Sequence, residues 1–164
     1  FQYYFVKLQC GPRVEGLDYE GASAAKPLPR LLEALNAANL EGVILCPSNP
    51  YLSIGPMLAI PALSALLRQV SRPVLAVSPI IGDTAVKGPA AKIMRELGQK
   101  PSCLAVSEYY RGLIDFIMID RSDAGHVSAI RALGIEPIVT DILMRDLPDR
   151  RRLAAKCCAV LRRT

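Results

Sequence analysis

The stretch "GVILCPSNPYLSIGP", residues 42 to 56, decides how the rest of the chain reads. Val43, Ile44 and Leu45 form an unbroken apolar run, the mark of a strand buried on both faces rather than one alternating between core and water. The run gives way at once to Cys46, Pro47, Ser48, Asn49 and Pro50, a loop of small, polar and conformationally restricted residues. A buried strand that ends this way belongs in a parallel sheet, where ligands bind beyond the C-terminal strand ends.

The same alternation repeats on either side. "PRLLEALNAANL" (29–40) sets Leu31, Leu32, Leu35 and Ala38 on one helical face, with Pro29 acceptable near its start. "PALSALLRQV" (61–70) turns Leu63, Leu66, Leu67 and Val70 inward, and "RPVLAVSP" (72–79) is a second buried strand. "GPAAKIMRELG" (88–98) has Pro89 at its first turn and Gly98 just past its end, as helices prefer. "SCLAVSEYYRG" (102–112) reads as a helix and "DFIMID" (115–120) as a third strand. "SDAGHVSAIRALG" (122–134) is a helix capped by Ser122 or Asp123 and closed by Gly134. "EPIVTD" (136–141) is a fourth strand and "LPDRRRLAAKCCAVLRR" (147–163) a closing helix. Strand–helix repetition of this kind predicts an α/β fold, a parallel sheet covered on both faces, over residues 28–164. Residues 1–27 follow neither period and read as an extension or edge segment.

The totals agree. A chain of 164 residues, 51% hydrophobic and 21% charged, is the size and composition of one globular domain. No apolar run reaches the ~18 to 20 residues of a membrane-spanning helix, at a mean hydropathy of +0.26. No secretory leader opens the chain and no methionine initiates it, so we expect a piece of a longer protein. Five cysteines without CxxC spacing, and a lone histidine, predict a reducing cytosolic setting with no metal site.

The net charge of +5 and a pI near 9.1 raise nucleic acid as a partner. Arg150, Arg151, Arg152, Lys156, Arg162 and Arg163 carry much of that charge on the closing helix, where a solvated face is the commoner reading. Without tryptophan there is little to stack bases on, and an anionic small molecule fits the charge at least as well.

Four loops leave strand ends: 46–56, 78–90, 119–125 and 140–149. Helix N-termini there offer free N–H groups and a positive dipole end, which suit phosphate. Ser48, Asn49 and Ser53 add donors, Gly55 and Gly82 allow close backbone approach, and Lys87, before Gly88, supplies a cation. The plainer reading is that the prolines stiffen a crossover and that Lys87 is a solvated lysine. GxxxxGK[ST], GxGxxG and GxSxG are all absent. His126 reads as structural, and Asp115, Asp120, Asp123 and Asp141 serve as caps as readily as magnesium ligands.

"CPSNPYLSIGPMLAIP" (46–61), "PVLAVSPIIGDTAVKGPAAKIMRELG" (73–98) and "ALGIEPIVTDILM" (132–144) together resemble the phospholactate transferases of deazaflavin-coenzyme biosynthesis, the CofD family. "FQYYFVK" (1–7) and "VEGLDYEGA" (14–22) are similar to the middle region of that family. The resemblance implies a Rossmann-like three-layer α/β/α domain. It also implies transfer of a phospholactyl or phosphoenolpyruvyl group from a guanosine diphosphate-linked donor to the deazaflavin Fo, with GMP leaving and Mg2+ assisting. By resemblance Ser48, Asn49, Ser53 and Gly55 lie near the nucleotide phosphates, with Lys87 and Gly88 as second choices. Family members are about twice this length, and their N-terminal half, expected to hold the metal ligands, has no match here. The chain alone is therefore expected to be inactive. A homodimer, and a non-enzymatic nucleotide-sugar-binding regulator of the same superfamily, are the further expectations.

Overall fold

A computed structural model describes residues 1–82 and 84–163; Asp83, inside the second strand-end loop, and Thr164, the end of the expected core segment, lie outside the described residues. Four strands, β1 (Val43–Leu45), β2 (Val74–Val77), β5 (Phe116–Ile119) and β6 (Glu136–Val139), form a sheet in the order β1-β2-β5-β6. Every pairing in it is parallel, with Ile44 beside Leu75, Ala76 beside Ile117 and Met118 beside Ile138. A small antiparallel hairpin, β3 (Ile80–Ile81) with β4 (Thr84–Ala85), follows β2 directly.

Side-chain alternation along the central strands fills two cores. Val74, Ala76, Ile117 and Ile119 face the larger one. It is closed by α3 (Pro61–Gln69), α4 (Ala90–Glu96), α5 (Cys103–Tyr109) and α6 (Val127–Ala132) through Leu63, Leu67, Ile93, Met94, Val106 and Ile130. Leu75, Val77 and Met118 face the other, covered by α7 (Leu147–Leu161) with Leu153, Cys157 and Leu161 at four-residue intervals. This is the three-layer α/β/α arrangement that the alternation of elements predicted. No single helix among the described residues is long and apolar enough to cross a membrane.

Four local expectations need correction. β1 is an edge strand and not a buried one: Ile44 is 36% exposed and only Leu45 is buried, because α7 covers the centre of the sheet more than its margin. The helix expected over 29–40 is α1, Pro29–Leu35; the Asn36 side chain donates back to the Leu32 carbonyl (2.8 Å) and the turn ends there. The helix expected from residue 122 is a tight turn, Arg121–His126, capped by Asp120, with α6 beginning only at Val127. The loop 46–56 is extended only to Asn49; it then winds through a wide turn, Pro50–Ile54, into α2 (Gly55–Leu58).

Residues 1–27 contribute no buried side chain. Polar ties fasten them: Tyr19 Oη donates to the Tyr51 carbonyl (2.6 Å), Val14 N–H to Glu96 (3.0 Å) and Lys92 Nζ to the Pro12 carbonyl (2.7 Å).

Candidate functional site

Because all four sheet strands are parallel, their C-terminal ends share one edge, and three of the loops leaving it enclose a cavity of about 320 Å3. The β1 loop contributes Pro47 and Asn49; the β2 loop contributes Pro79, Val86 and Lys87; the β6 loop contributes Ile142 and Met144. Arg150, in the first turns of α7, completes the wall.

Asn49 shows why the sequence folds as it does here. Its Oδ1 accepts the Tyr51 and Leu52 N–H groups (2.9 and 3.1 Å), while Pro50 needs no partner for a missing N–H. Its own carbonyl accepts from Ser53 (3.0 Å) and Ile54 (3.2 Å), the second of these spanning five residues and widening the turn. With Oδ1 so committed, Nδ2 is buried and has no acceptor among the described residues. A buried donor left in that condition is destabilised by about 1–3 kcal/mol, and an oxygen of a ligand would relieve it.

Two cations face the same cavity. Lys87 leaves the β3–β4 hairpin just before Gly88, whose φ of +71° turns the chain toward α4. Arg150 stands between arginines of a different kind. Arg145 pairs with Asp141 (3.5 Å) and Asp149 (3.1 Å), and Arg152 with Asp141 (3.4 Å) and Asp149 (3.2 Å). Arg152 also donates to the Asp141 carbonyl (2.6 Å) and so holds the loop that presents Ile142 and Met144. Chiefly the Arg145 N–H, with the Arg152 and Arg145 guanidinium groups, holds the Asp149 carboxyl below its ordinary range. Neither Lys87 nor Arg150 has an acidic partner among the described residues, and both are exposed.

The remaining candidates fall elsewhere. Ser48 is half-buried and Ser53 exposed, and neither lines the cavity; nor does Gly88. Gly55 is buried for another reason: a Cβ there would collide with the Tyr19 hydroxyl and meet that of Tyr109 at 2.9 Å. Partial burial pushes the Asp120 carboxyl up, but the Ser122 N–H and hydroxyl and the Ile142 N–H outweigh it and hold the group low. Asp115 accepts the Val74 N–H (2.8 Å) at the opposite end of the sheet. Arg150 was missed when the C-terminal cations were read together as a solvated face; its place one residue beyond the fourth strand-end loop was the available signal.

A larger cavity, about 590 Å3, lies under the N-terminal segment between Tyr4, Arg13, Tyr19, Leu52 and Pro56. It offers Glu15 and Asp18 beside its single arginine, so the smaller cavity, whose charged lining among the described residues is Lys87 and Arg150, is the better anion seat.

The family model for the 2-phospho-L-lactate transferase CofD matches residues 3–160. The chain belongs to the CofD family. A 2-phospho-L-lactate transferase of Methanosarcina barkeri is 38% identical over 94% of this chain and 48% of its own length. A phosphoenolpyruvate transferase of Streptomyces griseus is 36% identical over 90% of this chain and 46% of its own, and a 2-phospho-L-lactate transferase of Methanopyrus kandleri is 38% identical over 98% and 50%. This CofD-family chain thus spans about half the length of the curated relatives it matches.

Proposed function

We propose that this chain provides the diphosphate seat of a CofD-type transferase, the cavity of Asn49, Lys87 and Arg150 holding a guanosine diphosphate-linked donor. The buried Asn49 Nδ2 without an acceptor among the described residues carries this reading, since Asn49 lines a site with two cations that have no acidic partner among those residues. A hydroxyl of the deazaflavin acceptor attacks the phosphorus that bears the three-carbon acid. A new P–O bond forms, the P–O–P bridge breaks, GMP leaves with the bridging oxygen, and the hydroxyl proton passes to solvent. Lys87 and Arg150 offset the charge that grows on the departing phosphate, and Asn49 orients it. Pro47, Pro79, Ile142 and Met144 keep water from one side of the group.

Magnesium, which the resemblance implies, finds no carboxylate among the described residues that line this cavity. No step is routed through it here, and we place its ligands in the part of the relatives' length that this chain does not span. The same limit applies to the acceptor site, and the complete reaction is assigned to the longer architecture. Five free cysteines suit a cytosolic setting.

Calorimetric titration with GDP tests the seat. Asn49→Ala, Lys87→Ala and Arg150→Ala are each expected to weaken binding by tenfold or more, from ~1.5–3 kcal/mol for a hydrogen bond to a charged group. Ser53→Ala, exposed and outside the cavity, leaves it unchanged. Binding that ignores all three cavity variants overturns the assignment. Tight nucleotide-sugar binding without turnover in the full-length protein would favour the regulator.

A further inference from the structure

The lone histidine, unremarkable by spacing, acquires neighbours through the fold. Cys103 opens α5 after its Ser102 cap, while Asp123 and His126 lie in the capped turn that follows β5. The ligand atoms of Cys103, Asp123 and His126 all come within 4.8 Å of one another. A thiol, a carboxylate and an imidazole from two separate elements thus surround one point. Around Zn2+, with bonds of ~2.0 to 2.3 Å, tetrahedral ligands stand roughly 3.3 to 3.8 Å apart, so small side-chain rotations close the set.

We propose that Cys103, Asp123 and His126 form a Zn2+ site, distinct from the anion cavity and independent of the transferase reading. Cys103 and Asp123 are buried and His126 is half-buried, which leaves the fourth position on the histidine side for water. Both Asp123 oxygens accept the Gly82 N–H (3.1 and 3.2 Å), an outer contact that fixes how the carboxylate is presented. The chemistry of the set selects the ion. Sulfur and imidazole nitrogen favour a borderline ion such as Zn2+, whereas Mg2+ and Ca2+ prefer oxygen alone. Burial, then the charge of Asp123, pushes the Cys103 thiol up to about 12, so without an ion it stays protonated. On binding, the S–H bond is replaced by an S–Zn bond and the proton passes to solvent. No electrons are exchanged. Because Gly82 sits in the hairpin that leads to Lys87, an ion here also braces that hairpin through Asp123.

The test uses the whole chain, freed of metal by a chelator and titrated with Co2+ as a spectroscopic stand-in, then with Zn2+. One equivalent of Co2+ is expected to give the sulfur-to-cobalt charge-transfer band and the visible bands of a four-coordinate site, both abolished by Zn2+. Cys103→Ser removes the charge-transfer band. His126→Gln, at a half-buried position that spares the core, lowers Zn2+ affinity at least ~100-fold, beyond the ~10- to 100-fold loss that follows removal of an outer-shell partner. Cys157→Ser changes neither. A wild-type chain with no charge-transfer band, or a band that survives Cys103→Ser with the fold confirmed by circular dichroism, overturns the site. So does a His126→Gln chain that binds Zn2+ as tightly as wild type.

Discussion

Residues 1–27 and the sheet core are held to the same molecule by different forces. The core buries Leu75, Ala76, Ile117, Met118 and Ile119 completely, and each large side chain of this kind gains roughly 1.5–3 kcal/mol over its exposed state. The N-terminal segment has no fully buried residue: Val14, half-buried, packs against the core, and hydrogen bonds of Tyr19, Val14 and Pro12 strap the rest on. Each such bond is worth only ~0.5–1.5 kcal/mol net. One region therefore sets whether the chain folds, and the other can be unfastened while the fold stays intact.

The strongest way to break that contrast is Ile117→Ala. It empties a fully buried position between Ala76 and Pro137 and should lower stability by about 2–5 kcal/mol, read as a shifted midpoint in urea with unchanged slope. If the segment carried comparable stability, Tyr19→Phe would match that loss, and it should not.

Gly55→Ala is a finer probe. The added methyl would displace the Tyr19 ring and with it the bond to the Tyr51 carbonyl, a loss of about 1 kcal/mol partly offset by the better helix propensity of alanine. Global stability should hardly move, while limited proteolysis within residues 1–27 quickens. Protection unchanged from wild type would show that Tyr19 is not the fastening.

The smallest expected effect concerns Glu96, which accepts from Lys92 (2.6 Å) and from the Val14 N–H (3.0 Å). Lys92 foremost, and then the Val14 N–H, hold the Glu96 carboxyl below its ordinary 4.5. A group lowered on folding favours the fastened form above its unfolded value and loses that contribution as pH falls through the folded one. Proteolysis of the segment should therefore quicken only below about pH 4.5, and Glu96→Gln should remove that step. Lys92, raised by the same pair, loses its contribution only far on the alkaline side.

The layer architecture was legible because four strands and their covering helices keep different periods, and burial of one face enforces each. Ile44 was misread because an apolar run reports what a strand tolerates, and an edge strand tolerates it too. Asn49 and Lys87 come to line one cavity because strand ends in a parallel sheet converge by topology alone. Ser53 and Gly55 share the loop of Asn49 in sequence, but the chain winds into a wide turn after Asn49 and neither of them lines the cavity. The convergence of Cys103 with His126 had no local signal, since it depends on how α5 packs beside the turn after β5.

The order Asn49-Pro50 has one more effect, on how the molecule ages. An asparagine side chain deamidates when the backbone nitrogen of the next residue, having lost its proton, attacks the amide carbon to close a succinimide ring. Pro50 has no N–H to lose, so that route is shut at Asn49. Asn36 and Asn39, followed by alanine and leucine, keep it open. In an old preparation the charge ladder of deamidated forms should come from those surface positions, while the Asn49 amide outlasts them.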